Sequence, residues 1–218
     1  MNAERIITLL EPFVSRNKQE RIEQVLSKRT RHLALVFEDI EKTQNVSAVL
    51  RSAECFGIQD VHFIKNRKEY QVNLGIVKGS DKWLSLHHHN ASEGVSNVEM
   101  ALSKLRNEGY RVLGTSLDPQ AQLVEEVDLT EKTAIVFGCE QKGISDAVRE
   151  RADGLVHIGM NGFTESFNLS VSAAIILSTF MRNQRQSWHL NEQEKVALKA
   201  EWYHKVVKEA DKILARLN

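Results

Sequence analysis

The spacing of apolar positions changes several times along this chain, and each change marks an element. Residues 3–11 and 18–29 carry apolar side chains at helical intervals, and Pro12 stops the first stretch. HLALVF at 32–37 is instead a continuous apolar run before an acidic loop, the pattern of a buried strand. Val46, Val49, Leu50, Ala53 and Phe56 return to helical spacing, closed by Gly57. VHFI at 61–64 and WLSLHH at 83–88 read as strands, and 96–108 as a helix ending at Gly109. Strands are expected at 110–117, 133–137 and 155–158, with a helix over 144–152. Asn168 to Met181 is apolar on every face, so the helix it forms has to be covered on all sides. Val196, Tyr203, Val207, Ala210, Leu214 and Leu217 predict one amphipathic helix over 192–217.

Strands alternating with helices predict an α/β domain over 32–181, with a mostly parallel sheet and helices on both faces. Helical extensions are expected at 1–31 and 182–218. Composition leaves this picture unchanged: 42% apolar, 27% charged, 2 Pro and 11 Gly in 218 residues exclude a disordered or collagen-like chain. Two isolated cysteines, Cys55 and Cys139, argue against a disulfide framework and offer no metal-ligand spacing. The N-terminal apolar run is too short for a signal sequence, and the longest apolar stretch, Val171–Leu177, is too short for a bilayer. The expectation is a cytoplasmic protein with no membrane partner and no metal.

Charge adds a distribution. The 29 bases and 29 acids cancel, yet residues 1–31 and 178–218 each carry a balance of +3 around an acidic middle. Basic ends suit a polyanionic partner, although solvated helix surfaces look the same. Lys65, Arg67, Lys68, Lys78 and Lys82 form another basic cluster, expected largely in a loop after a strand.

Three polar, glycine-bearing segments follow or separate strands, where α/β proteins bind ligands. They are EDIEKTQNVSAVLRSAECFG from Glu38, FGCEQKGIS from Phe137, and IGMNGFTESFNLS over 158–170. None is a dinucleotide fingerprint or a phosphate-binding P-loop.

Those segments resemble the SpoU branch of the SPOUT methyltransferases, knotted enzymes that methylate the ribose 2′-hydroxyl of RNA. NVSAVLRSA at 45–53, GCEQKGI at 138–144 and IGMNGFTESFNLSVSA at 158–173 match the family's three motifs in order. Within that branch the chain is most similar to the tRNA guanosine-2′-O-methyltransferases acting on position 18 of the D-loop. Gly159 stands where the family often has Pro, and Phe167 and Leu169 replace Leu and Val.

The resemblance implies a deep C-terminal trefoil knot, S-adenosylmethionine as donor, tRNA as substrate and a homodimer. It assigns catalytic roles to Arg51, Asn45, Glu140, Ser166 and Asn168. The donor would lie against Gly138, Cys139, Glu140, Gly143, Ile158, Met160, Ser166 and Leu169. Simpler roles remain open: Asn45 as a helix cap, Glu140 as a cap of the 144–152 helix, and Ser166 or Asn168 as the cap of the apolar helix. His87, His88 and His89 suggest a metal cluster, but neighbours on a strand point to opposite faces. Trp202 and Tyr203 fit core packing better than stacking on RNA. Glu165 reads as a solvated loop residue. The alternatives are an rRNA 2′-O-methyltransferase of the same family and a non-catalytic RNA-binding module.

Overall fold

A computed structural model of the chain describes residues 1–66, 79–90, 96–118, 120–182 and 185–216. Arg67, Lys68 and Lys78 of the internal basic cluster lie outside these residues. The chain divides into two compact units, one of Arg31–Arg185 and one of Met1–Thr30 with Gln186–Asn218.

In the larger unit, strands β1 (Thr30–Glu38), β2 (Ile58–Ile64), β3 (Ser85–His89), β4 (Arg111–Thr115), β5 (Gln122–Leu123), β6 (Thr133–Phe137) and β7 (Gly154–His157) form one sheet. Their order is β3-β2-β1-β6-β4-β7-β5. The β1–β6, β6–β4, β4–β7, β7–β5 and β2–β3 pairs are all parallel. Helices α3 (Thr43–Cys55), α4 (Asn97–Asn107) and α5 (Asp146–Arg151) lie in the crossovers, and α6 (Leu169–Met181) follows the last strand.

Strand alternation sorts the core into two layers. Ala34, Val36, Val112, Ala134 and Val136 face Val98, Ala101, Leu102 and Leu105 of α4 and Val148 of α5. Leu33, Leu35 and Phe37 turn to the other face, where Phe37 meets the rings of Phe63 at 5.4 Å and Phe137 at 6.2 Å. There α3 packs against α6. Each such fully buried Leu or Phe contributes about 1.5–3 kcal/mol. The expected strand at 110–117 stops at Thr115, which puts Leu117 in a loop.

One connection has an unusual course. β5 follows β4 by a few residues, yet β7, which comes later in the chain, lies between them. The segment joining β4 to β5 therefore spans β7, and Ser116 N–H bonds to Val156 O at 3.0 Å across that crossing. Chains rarely thread in this way, and this is the passage that a trefoil knot requires.

The smaller unit holds α1 (Ala3–Leu10), α2 (Arg16–Leu26), α7 (Glu192–Val206) and α8 (Ala210–Arg216). A capping box between Asn191 and Glu194 starts α7. The single helix expected over 192–217 is two: Val207 turns to an extended conformation, and Glu209 takes a left-handed φ of 57°. The break lets α1 pack against both α7 and α8 while Val207 and Ala210 stay buried. Trp202 and Tyr203 are in the core, and the Arg29 guanidinium lies over Trp202 at 5.4 Å with no exposure at all.

Candidate active site

α3 places Asn45 and Arg51 on different faces. Asn45 shares the buried side with Val46, Val49, Leu50 and Ala53. Arg51 belongs to the stripe of Gln44, Ala48 and Cys55, open to solvent, and makes no hydrogen bond or ion pair among the described residues. Asn45 is not the cap, because the helix begins at Thr43 with Lys42 as its unassisted N-cap.

The cap comes from another motif. Glu140, in the loop after β6, accepts from the amides of Glu41 at 3.2 Å and Lys42 at 3.3 Å, ahead of the first turn of α3. A carboxylate at that end also meets the positive pole of the helix. Its Oε1 accepts from Asn45 Nδ2 at 2.7 Å. Burial alone would raise the Glu140 carboxyl, but the hydrogen bonds from the Asn45 side chain and nearby amides outweigh it and hold the group below its ordinary value.

The chain of bonds continues into the third motif. Asn168 Nδ2 donates to Asn45 Oδ1 at 3.2 Å. Asn168 Oδ1 caps α6, accepting from Ser170 N–H at 2.8 Å and Ser170 Oγ at 2.6 Å. Glu140, Asn45 and Asn168 thus join three loops far apart in sequence. Ser166 stays outside this cluster: it is exposed and has no hydrogen bond among the described residues. Ser170 is there instead.

The loop from Gly138 to Ile144 is closed on itself. Gly143 N–H bonds to Cys139 O at 2.8 Å, and Lys142 N–H reaches Cys139 Sγ at 3.4 Å. A Cβ at position 138 would sit 1.9 Å from the Gly143 carbonyl carbon, so no side chain fits there. The helix after this loop is capped by Ser145, not Glu140. Ser145 in turn binds the buried Glu38, donating from N–H at 2.8 Å and from Oγ at 2.6 Å. Asn66 Nδ2 donates to the same carboxylate at 3.1 Å. Glu38 was missed in the sequence, where its only signal is an acid at the end of an apolar strand.

Beyond β7 lies a cleft of about 480 Å³ lined by Leu117, His157, Ile158, Met160 and Glu165. That size suits a small organic ligand. Of the expected donor contacts, Ile158 and Met160 are on its wall, whereas Gly138, Cys139, Glu140 and Gly143 of the closed loop and Leu169, which opens α6, are not among its lining residues. Leu117 joins Ile158 and Met160 from the loop that spans β7, held by Arg149 of α5, whose Nη1 lies 3.2 Å from Ser116 Oγ and 3.6 Å from Asp118 Oδ2.

A second polar cluster lies near the far edge of the sheet. His62, fully buried, meets His89 at 3.0 Å between Nδ1 and Nε2 and stacks on His87 at 4.4 Å. His87 Nε2 is 3.0 Å from Asp60 Oδ1, which Arg31 approaches at 3.5 Å. Burial first, then the charges of His87, His89 and Lys104, pushes His62 down to about 2. Burial and then Lys104, His87 and His88 push His89 down to about 4. No group of three His, Cys, Asp or Glu residues is arranged to hold a metal among the described residues. Nor is any described helix long and apolar enough to cross a membrane.

Among the terminal bases, Arg29 is buried, while Lys195 pairs with Glu192 at 2.7 Å and Lys199 with Glu23 at 2.5 Å. Arg21 and Lys28 are exposed and unpaired among the described residues.

The chain is similar to known proteins in sequence and fold. A tRNA (guanosine(18)-2′-O)-methyltransferase of Borreliella burgdorferi is 38% identical over 205 residues, 93% of this chain and 91% of that protein. The crystal structure of an A. aeolicus TrmH/SpoU tRNA modifying enzyme superposes with a TM-score of 0.76 at 29% identity, covering 88% of this chain and 98% of that one. The SpoU methyltransferase AviRb from Streptomyces viridochromogenes, in complex with the cofactor AdoMet, shares the fold at a TM-score of 0.59 and 24% identity, over 73% of this chain and 60% of that one. The profile of the SpoU rRNA Methylase family matches residues 32–178, from the first sheet strand through most of α6, and the chain belongs to that family.

Proposed function

We propose that this protein transfers a methyl group from S-adenosylmethionine to the ribose 2′-hydroxyl of guanosine 18 in tRNA. The observation that carries the reading is the Glu140–Asn45–Asn168 chain, which gathers all three motif loops at the helix presenting an unpaired Arg51. The relatives matched over nine-tenths of their own length are tRNA enzymes, which favours tRNA over rRNA although the family's description names rRNA.

The cleft fits the donor. Leu117, Ile158 and Met160 give an apolar wall of the kind an adenine ring needs. The closed loop at 138–144, with no room for a side chain at Gly138, brings backbone groups close to any ligand beside it. The donor supplies an activated methyl on a sulfonium, so the chain's residues have to position the RNA and stabilise charge. A guanidinium cannot be deprotonated in proteins, so Arg51 acts as donor rather than base. Its fork clamps a phosphate beside the target ribose and aims one N–H at the 2′-oxygen as negative charge develops. Glu140 and Asn45 fix the first turn of α3 and thereby the direction from which Arg51 reaches the RNA. Asn168 ties the donor loop to that turn, and Ser166 faces solvent where substrate can meet it.

Two copies pair, in this reading, through α6. Val171 is 43% exposed and Phe167 41%, beside a fully exposed Phe163, an apolar face that one chain leaves uncovered. Val171→Glu is expected to convert a dimer into monomers, checked by light scattering. The terminal helices contribute RNA contacts through Arg21 and Lys28, and a tRNA substrate places the enzyme in the cytoplasm.

The deciding experiment is transfer of labelled methyl to unmodified tRNA followed by nucleoside mapping. Label at guanosine 18 is expected; binding without transfer, or label confined to rRNA, overturns the proposal.

A further inference from the structure

The wall of the cleft carries one carboxylate that the three-loop network leaves out. Glu165 lines the cleft with Leu117, His157, Ile158 and Met160. It is exposed, and it has neither hydrogen bond nor ion pair among the described residues. The two acids of the motif loops' hydrogen-bond networks are committed by contrast: Glu140 accepts from three N–H groups, and Glu38 from Ser145 and Asn66. Neither Lys nor Arg is among the lining residues, so no lining cation offsets Glu165. A negative charge set against apolar walls projects its field into the opening rather than into the protein.

We propose that Glu165 makes this cleft distinguish ligands by charge, favouring the cationic donor over its neutral product. The inference rests on the donor reading above. In the transfer the methyl carbon bonds to the ribose oxygen as its bond to sulfur breaks. The bonding pair stays on sulfur and the hydroxyl proton passes to water, so a sulfonium becomes an uncharged thioether. Glu165 therefore attracts the ligand before transfer and loses that hold afterwards. Binding of the donor and release of the product are biased by the same side chain.

The test is calorimetric titration of the full chain with S-adenosylmethionine, with S-adenosylhomocysteine, and with sinefungin, which carries an ammonium in place of the sulfonium. Glu165→Gln is expected to weaken both cationic ligands about three- to tenfold, the size of one screened charge pair, while the thioether changes less than about twofold. Raising the salt should shrink the difference in the unmodified chain and leave the variant unaffected. Glu165→Asp, which keeps the charge, should retain the preference. An unchanged ratio between cationic and neutral ligands in Glu165→Gln overturns the inference, as does equal weakening of all three, which would make Glu165 a packing residue. If the unmodified chain binds none of them, the donor reading itself fails.

Discussion

Two polar clusters sit against the same sheet, and they are built on opposite terms. Around His62 every partner is another side chain of the cluster: ring on ring, ring on Asp60, and Arg31 closing the far side. The two nitrogens it leaves without a hydrogen bond, His62 Nε2 and Arg31 Nε, are themselves buried. Around Asn45 the amides and carboxylate also satisfy one another, yet their product is a helix turn held in place with Arg51 left free on its exposed stripe. The difference teaches how to tell a site from a buried staple. Three histidines suggest chemistry by type, but a working site is recognised by the group its network leaves both unpaired and open to solvent.

Removing that group should break the contrast most strongly. Arg51→Ala is expected to lower methyl transfer by about 100- to 1,000-fold, as for the loss of one preorganised donor, with donor affinity retained. Single-turnover transfer beside calorimetric binding checks this, and near-normal turnover would remove Arg51 from the chemistry. Asn45→Ala comes next. It strips Glu140 Oε1 and Asn168 Nδ2 of a partner each, so a stability loss of about 1–3 kcal/mol is expected by urea unfolding. Transfer by the folded variant should fall about tenfold, because Arg51 is then less well directed.

The smallest effect separates the two clusters by pH. His62 and His89 titrate lower folded than unfolded, so the unfolded chain takes up protons first as pH falls below about 6.5. Their contribution is complete above that value and declines toward about 4 for His89 and about 2 for His62. Each buried ring should cost up to about 1.4 kcal/mol per pH unit in that window. Asp60, Arg31, His87, His88 and Lys104 face the pair and remain when one ring is removed. Glu140 also titrates low, but its contribution starts to fall only below the ordinary carboxyl value of 4.5. Urea unfolding at pH 7, 6 and 5 should therefore show a slope, to which the lowered His32 and His88 also add, that His89→Asn reduces and Glu140→Gln leaves alone.

Sequence pattern revealed the sheet because parallel strands buried on both faces are short continuous apolar runs, as at 32–37 and 133–137. It missed β5, two residues long, whose place depends on pairing with β7. It joined α7 to α8, since no Gly or Pro marks the left-handed turn at Glu209. Asn45, Glu140 and Asn168 were legible as motif residues, but their mutual bonds were not, because contacts across about a hundred positions leave no local period. Leu117 and Glu38 were invisible for the same reason: one lies on a wall only when β7 has passed beneath it, the other is an acid whose partners arrive from later loops.

The crossing of β7 under the β4–β5 segment also sets when this protein can begin to work. Leu117 stands on one side of the crossing and Ile158 and Met160 on the other, so the pocket has no walls until the later strand has gone through. A ribosome-bound chain that ends before β7 owns the arginine but not the place for its co-substrate. Competence arrives in a single late event of biosynthesis, and an unfinished copy cannot mark RNA.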